Sequence, residues 1–268
     1  MPKLPAPPLP RALRPKPSRP GSPSEVMDPV EAVAEAGITV VDWLDERTSL
    51  SPGIRWLLFR KVPRGINWAY TLGSATLFAF LNQAVTGVFL AMFYEPNVQG
   101  GAYESIRNIN DNVFLGQFVH GMHKWGASVM IILIFLHMGR VFFFGAYKYP
   151  REITWIIGVV LLILTMAMGF TGYLLPFDQR AYWATIVGVN INGTGPFIGP
   201  YLSDFLRGGP EFGATTLSRF YAIHMLLIPG LMAALIGFHL YLVTKLGISA
   251  PPWLKVEEPA EVVRRVEV

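Results

Sequence analysis

Residues 120–140 read HGMHKWGASVMIILIFLHMGR, and residues 224–239 read HMLLIPGLMAALIGFH. These two apolar stretches carry all five histidines of the chain. In a helix that rises about 1.5 Å per residue, the 14 positions from His123 to His137 span roughly 21 Å. The 15 positions from His224 to His239 span roughly 22 Å. Each helix therefore turns its two histidines, to within about 60°, toward one side at two matched depths.

The composition of the 268-residue chain is typical of a membrane protein. Hydrophobic residues make up 52% and charged residues 15%, with a mean hydropathy of +0.40. Four apolar stretches reach the roughly 20 residues that a helix needs to cross a membrane; they are 66–94, 114–145, 153–175 and 220–244. A fifth uncharged run, 181–203, is rich in Gly, Pro and Asn, which predicts an irregular segment with short surface helices. The sequence therefore predicts an all-α membrane protein built on a four-helix bundle.

The regions outside the four stretches differ in composition. Segment 1–37 is basic and rich in proline, lacks the apolar core of a signal peptide and is expected to be a disordered tail. Segment 38–64 begins with ITVVDWLDERTSL, which fits either an amphipathic helix on a membrane surface or a short soluble cap helix, followed by a linker. The membrane domain is expected over 65–248, with a cytoplasmic tail over 249–268.

The distribution of Lys and Arg predicts the orientation, because these residues accumulate on the cytoplasmic side. They concentrate in the amino-terminal flank, the second-to-third connection and the carboxy-terminal tail. Four spans with both termini in the cytoplasm satisfy this pattern. The net charge of +4 is therefore explained by basic residues that flank the spans and set their orientation in the membrane. No nucleic-acid partner is expected.

In a four-span bundle the second and fourth helices run parallel, so His123 faces His224 near the outer face and His137 faces His239 near the inner face. Two facing imidazoles are the axial ligands that haem iron accepts, so two levels predict two stacked bis-histidine haems. The alternative is a haem-free transporter or scaffold whose histidines hydrogen-bond across helices. Zinc and di-iron sites are disfavoured, because the chain has no Cys and neither histidine-bearing span contains Asp or Glu.

Glycines in the other two helices repeat at a similar spacing. Gly73 and Gly87 are 14 positions apart, as are Gly158 and Gly172. A glycine lets a flat porphyrin approach the backbone closely, although small residues also pack helices together in membrane proteins generally. The shared spacing favours the haem interpretation.

Haem propionates need cations at the membrane edge. Arg140, three residues after His137, can extend to the inner edge. The candidates near the outer pair are Lys124, Arg219 and His120. His120 could instead take part in proton release or have no role.

Five stretches closely resemble the haem-binding, amino-terminal half of cytochrome b from cytochrome bc and plastid cytochrome bf complexes. They read FLNQAVTGVFLAMFY, HKWGASVMIILIFLHMGRVFFFGAYKYPREITWIIGVV, FTGYLLPFDQRAYWA, GPFIGPYLSDFLRGG and TLSRFYAIHMLLIPG, within roughly 38–252. The 14 residues between His224 and His239 resemble the plastid-like branch. A chain that stops after the fourth helix resembles the short, split form of the family.

The resemblance implies two non-covalent haem b groups. His123 with His224 would ligate the low-potential haem near the outer face, and His137 with His239 the high-potential haem near the inner face. Gln83 and the four paired glycines would border the haems, and Arg140 would meet a propionate. The quinol oxidation pocket would include part of the segment around Tyr182, Trp183, Ala184, Pro196 and Phe197. Thr71 replaces the cysteine that attaches a further haem in the plastid-like branch, so no covalent third haem is expected.

The implied function is that of the haem b subunit in a multisubunit quinol oxidoreductase. Such a subunit carries electrons between quinol oxidation outside and quinone reduction inside, coupled to proton translocation. The expected partners are a separate subunit with the later helices and a Pro-Glu-Trp-Tyr segment, a Rieske iron–sulfur protein, a c-type cytochrome and a second copy of the complex. A prokaryotic cytoplasmic membrane is the expected location. Ferric reductases and dehydrogenase anchors can also hold two bis-histidine haems, but they lack the paired glycines and the GYLLPFDQ segment.

Overall fold

The computed structural model describes residues 29–48 and 63–253, and every regular element in these ranges is helical. Helix α1, Pro29–Thr48, belongs to the first of two compact units of the chain. The second unit contains α2 (Leu72–Ala91, after a 3-10 turn at Trp68–Thr71), α3 (Gly101–Asp111), α4 (Gly116–Phe143), α5 (Glu152–Tyr173), α6 (Gln179–Gly193), α7 (Gly199–Arg207) and α8 (Ala214–Leu246).

Helix α1 begins earlier than its sequence indicated, at Pro29 instead of Ile38. Proline is favoured in the first helical turn, and the following VEAVAEA contains several strong helix formers. The tail predicted for 1–37 is therefore helical from Pro29 onward. The rest of that tail, 1–28, lies outside the described residues, as do 49–62 and 254–268.

Four helices of the described chain are long and apolar enough to cross a membrane, namely Trp68–Ala91, Gly116–Phe143, Glu152–Tyr173 and Ala214–Leu246. They coincide with the four stretches predicted from the sequence, which confirms the all-α membrane protein with four spans. Many of their apolar side chains face outward; Phe78, for example, is 75% exposed. Such exposure is expected where the surrounding solvent is lipid.

The run between the third and fourth spans forms the predicted short helices, α6 and α7, and is more regular than its composition indicated. The Asp178 carboxylate caps α6 by accepting a hydrogen bond from the Ala181 N–H at 2.7 Å. A Cβ on Gly188 would lie 2.5 Å from the Phe170 ring of α5. This glycine therefore allows α6 to pack against α5 instead of breaking the helix.

The four spanning helices associate mainly as two pairs. Helix α2 packs along α4, and α5 packs along α8. Helices α4 and α8, which carry all five histidines, make no extensive backbone contact with each other in the described chain. Each histidine-bearing helix is thus supported by a helix that carries two of the paired glycines.

A π-helical turn at Ile223–Leu227 interrupts the α-helical pattern of α8, and His224 lies in it. The Ile228 N–H donates to the Ile223 carbonyl, five residues back. Pro229 explains the turn, because its ring would crowd the carbonyl four residues earlier in a regular α-helix. A π turn absorbs one extra residue. The 15-residue step from His224 to His239 therefore keeps both rings on one side, like the 14-residue step in α4.

Tyr94 connects the end of the first span to the end of the third. Its hydroxyl donates to the Leu175 carbonyl at 2.6 Å, and its ring lies 5.4 Å from that of Tyr221. Burial, followed by the neighbouring Tyr221, raises the pKa of Tyr94. The hydroxyl therefore remains a proton donor over the whole physiological pH range.

Candidate functional site

The imidazoles of His123 in α4 and His224 in α8 lie opposite each other. Their ring centroids are 6.3 Å apart, and their planes are inclined at 75°. A metal–imidazole bond is about 2 Å long and a ring nitrogen lies about 1 Å from the ring centre, so two imidazoles on one metal have centres about 6 Å apart. The separation therefore matches that of two axial ligands of one haem iron.

The inner pair consists of His137 in α4 and His239 in α8. Both side chains are partly buried, and they are close enough to interact electrostatically. The ring of His239 also interacts with the backbone of Thr154, but its Nδ1 is buried without a hydrogen bond of ordinary geometry among the described residues. The structure thus brings together the same two pairs that the spacing in the sequence suggested.

Each imidazole of the two pairs rests against one of the paired glycines. A Cβ built on the glycine would approach the imidazole Cε1 to 3.1 Å for Gly73 and His137, 3.2 Å for Gly87 and His123, 3.7 Å for Gly158 and His239, and 2.6 Å for Gly172 and His224. The glycines of α2 therefore accommodate the histidines of α4, and those of α5 accommodate the histidines of α8. The sequence had suggested a role for these glycines toward a porphyrin, which stays a prediction; the contact seen here is with the imidazole rings of the histidines.

Threonines next to two of these glycines contact the outer imidazoles. Thr86 Oγ1 lies 2.9 Å from Nδ1 of His123, and Thr171 Oγ1 lies 3.2 Å from Nδ1 of His224. Each hydroxyl donates its own proton to a carbonyl of its helix, at 2.6 and 2.8 Å respectively. It therefore accepts the imidazole N–H, which leaves Nε2 free to bind a metal. The sequence signal for this contact is a Thr-Gly dipeptide, which the spacing pattern of the glycines alone does not single out.

Arg140 lies near the inner pair with unused hydrogen-bonding capacity. Its guanidinium stacks on Tyr70, with Cζ 3.6 Å from the ring centroid. Its Nε and Nη2 atoms are buried and make no hydrogen bond of ordinary geometry among the described residues, although the guanidinium also interacts with the Tyr70 hydroxyl. Nε2 of Gln83 is likewise buried without such a hydrogen bond. A guanidinium with two free donors suits a carboxylate, so Arg140 fits a haem propionate. The contribution of Tyr70 was not indicated by the sequence.

Residues 58–247 match the family model described as cytochrome b/b6/petB. The chain belongs to the cytochrome b family. The menaquinol:cytochrome c reductase cytochrome b subunit of Geobacillus thermodenitrificans is 43% identical over 218 residues, which cover 78% of this chain and 97% of the relative. The cytochrome b6 of Heliobacterium modesticaldum is 40% identical over 216 residues, which cover 79% and 100%, respectively.

A solved structure shares the cytochrome b fold of this chain. A chain of a hyperthermophilic respiratory Complex III superposes with a TM-score of 0.72 at 31% sequence identity. The comparison covers 82% of the present chain, which spans 59% of the length of the solved one. The family resemblance and the all-helical membrane fold expected from the sequence are therefore confirmed.

The outer cation candidates of this cytochrome b differ in their surroundings. Nδ1 of His120 lies 2.9 Å from the side-chain oxygen of Asn110 in α3. Lys124 is exposed. Arg219 donates to the Phe205 carbonyl of α7 at 2.5 Å. His120 and Arg219 thus contact the short helices α3 and α7, respectively, and Lys124 is the most accessible of the three.

The five quinol-site candidates lie along α6 and in the turn that follows it. Tyr182 and Trp183 lie near the start of α6, whereas Pro196 and Phe197 lie in the turn that follows it. Ala184 lines an open, mainly apolar groove of about 420 Å³ between α5 and α6. Phe197 is 92% exposed. A quinol site in this cytochrome b would therefore need further residues to enclose the open groove beside α6.

Proposed function

We propose that this cytochrome b binds two haem b groups, one between His123 and His224 and the other between His137 and His239. The observation that carries the proposal is the placement of four imidazoles at two levels, each against a glycine of the neighbouring helix. When bound, the iron of each haem supplies one-electron redox chemistry. Thr71 has a hydroxyl in place of a thiol, and this hydroxyl donates to the Trp68 carbonyl. Both haems are therefore proposed to be non-covalent.

The protein side chains would hold and tune these groups. The outer histidines present Nε2, because their Nδ1 atoms contact threonine hydroxyls. Arg140 brings positive charge and two buried N–H donors to the inner level, where we place a propionate. Lys124, His120 and Arg219 are the proposed cationic partners at the outer level. Gln83 and the four paired glycines would border the haems, and the apolar side chains of the spanning helices would exclude water.

We infer that the chain works as a subunit of a bc-type quinol oxidoreductase and is not active alone. Support comes from relatives that it covers almost completely and that are named as a menaquinol:cytochrome c reductase cytochrome b subunit and as cytochrome b6. The proposed activity carries electrons between quinol oxidation near the outer face and quinone reduction near the inner face. Protons would be released outside and taken up inside. Tyr182, Trp183, Ala184, Pro196 and Phe197 are the proposed contributions to the quinol pocket.

The proposed partners follow from the same relationship. They are a subunit with the later helices and the Pro-Glu-Trp-Tyr segment, a Rieske iron–sulfur protein, a c-type cytochrome and a second copy of the complex. The chain is a multi-pass membrane protein. The basic residues Lys148 and Arg151, between α4 and α5, support a topology with both termini in the cytoplasm. We propose the cytoplasmic membrane of a prokaryote as its location.

Replacing one ligand should remove one haem. In His137→Ala, the inner site loses an axial ligand while the outer pair is intact, so the purified complex should keep one of two b haems per chain. Haem content by pyridine haemochrome and the dithionite-reduced minus oxidised spectrum measure this. Leu136→Ala, at an exposed neighbouring position of the same helix, is the control that should retain both haems. Two b haems in His137→Ala would refute this ligand assignment.

A further inference from the structure

Hydroxyl groups contact the imidazoles at the outer level, and the corresponding positions at the inner level lack them. Thr86 and Thr171 directly precede Gly87 and Gly172. Fourteen positions before each threonine, the residues that precede Gly73 and Gly158 are Leu72 and Ile157, whose side chains cannot hydrogen-bond. The two levels therefore share the glycine–histidine contact but differ in the hydrogen bonding of the ligand rings.

The two threonine contacts are alike although they involve different helices. Thr86 is 5% exposed and Thr171 is 3% exposed, so bulk water does not compete for either hydroxyl. Each hydroxyl proton is already donated within its own helix. The oxygen can then act toward the imidazole only as an acceptor, which requires a proton on Nδ1. The arrangement favours the tautomer whose Nε2 lone pair binds iron.

We propose that Thr86 and Thr171 are positioning residues that lower the reduction potential of the outer haem relative to the inner one. This inference rests on the proposed function, because it requires haem at the outer pair. An imidazole that donates its other N–H is a more basic ligand. A more basic ligand stabilises ferric over ferrous iron, so each threonine disfavours the one-electron reduction of Fe3+ to Fe2+ at this level.

The hydroxyls can be removed without removing all support for the rings. The imidazoles of His123 and His224 also interact with the backbones of Gln83 and Met168, respectively. Valine has nearly the shape of threonine but lacks the acceptor oxygen. Thr86→Val and Thr171→Val should therefore retain the outer haem and change its reduction potential. If the threonine contacts were purely structural, their loss would leave that potential unchanged.

A redox titration of the purified complex, followed by haem absorbance, tests the inference. The Thr86→Val/Thr171→Val double variant should keep both b haems and raise only the outer potential. We expect a change of about tenfold in the ferric–ferrous equilibrium, which corresponds to about 59 mV for one electron. The Ser variants should restore the original potential. Thr165→Val is the matched control, because Thr165 is a buried threonine of α5 whose hydroxyl donates to the Leu161 carbonyl.

The reciprocal change tests the same inference at the other level. Leu72→Thr and Ile157→Thr place hydroxyls at the equivalent positions and should lower the inner potential. Two retained haems with unchanged potentials in the valine double variant would overturn the inference and leave the proposed function intact. If the Thr86→Val/Thr171→Val variant loses the outer haem instead, the Leu72→Thr/Ile157→Thr variant decides. An unchanged inner potential in that second variant would overturn the inference. A wild-type complex without b haem would overturn the proposed function itself.

Discussion

The four glycine–histidine contacts differ in tightness at the level of single residues. A Cβ on Gly172 would lie 2.6 Å from Cε1 of His224, well inside the roughly 3.5–4.0 Å that two carbon atoms prefer. A Cβ on Gly158 would lie 3.7 Å from Cε1 of His239, which is an ordinary contact. His224 is buried and lies in the π turn. Its ring therefore has less freedom to move away from a new methyl group than that of His239.

Alanine substitutions should reproduce this ranking. Gly172→Ala should displace the His224 ring at an overpacking cost of about 1–3 kcal/mol and lower the outer haem content. Gly158→Ala should lower the haem content less than Gly172→Ala does, because its Cβ makes only an ordinary contact with the His239 ring. Haem content and the thermal stability of the purified complex measure both effects.

Gly169→Ala is the matched control for these two substitutions. It lies in the same helix, and a Cβ there meets nothing within 4 Å. Its haem content should equal that of the wild type. Full outer haem content and unchanged thermal stability in Gly172→Ala would contradict the proposed packing role.

At the level of elements, α4 and α8 bring their histidines to the same face in different ways. In α4, 13 residues of regular α-helix lie between His123 and His137. Helix α8 has one more residue between its histidines, and the π turn at Ile223–Leu227 absorbs it. The turn therefore compensates for the extra residue and keeps the register of the second helix.

Deleting Leu226 in a Pro229→Ala background, which removes the ring that a regular turn would crowd, should convert the π turn to a regular α-helical turn and leave His224 and His239 on one face. Leu226 is 77% exposed, so its removal costs little core packing. The ΔLeu226/Pro229→Ala variant should therefore retain both haems. Haem content per chain and the reduced-minus-oxidised spectrum provide the measurement.

An inserted alanine after Ala233 is the contrasting variant. It rotates His239 by about 100° relative to His224, because no second π turn absorbs it. This variant should lose the inner haem. Loss of the inner haem from the ΔLeu226/Pro229→Ala variant, or its retention in the insertion variant, would contradict the compensating role of the π turn.

At the scale of the whole molecule, the sequence predicted what depends on helix length and period. The four spans follow from apolar length, and the pairing of His123 with His224 follows from matched spacing in parallel helices. The contact between Thr86 and His123 joins residues 37 positions apart, and no local sequence pattern predicts a contact over that separation. The π turn was also not predicted, because the sequence does not show whether the helix before Pro229 kinks or forms a π turn.

Other expectations were limited by what one chain contains. The quinol-site candidates were carried over from a resemblance, and their contact with a quinol stays a prediction. The stack of Arg140 on Tyr70 depends on the packing of α4 against the turn that precedes α2, which no local pattern encodes. The start of α1 was misplaced because the proline content of the amino-terminal segment outweighed the helix formers after Pro29.

Binding of two non-covalent haems b by the four histidines is tested most directly by a redox titration of the purified complex. Dithionite-reduced minus oxidised spectra would be recorded during the titration, and acid–acetone extraction would follow. We expect two b-type components with distinct midpoint potentials, both released by extraction. Absence of a b-type signal would contradict this binding and leave the histidines with structural roles. Haem that resists extraction would contradict non-covalent binding.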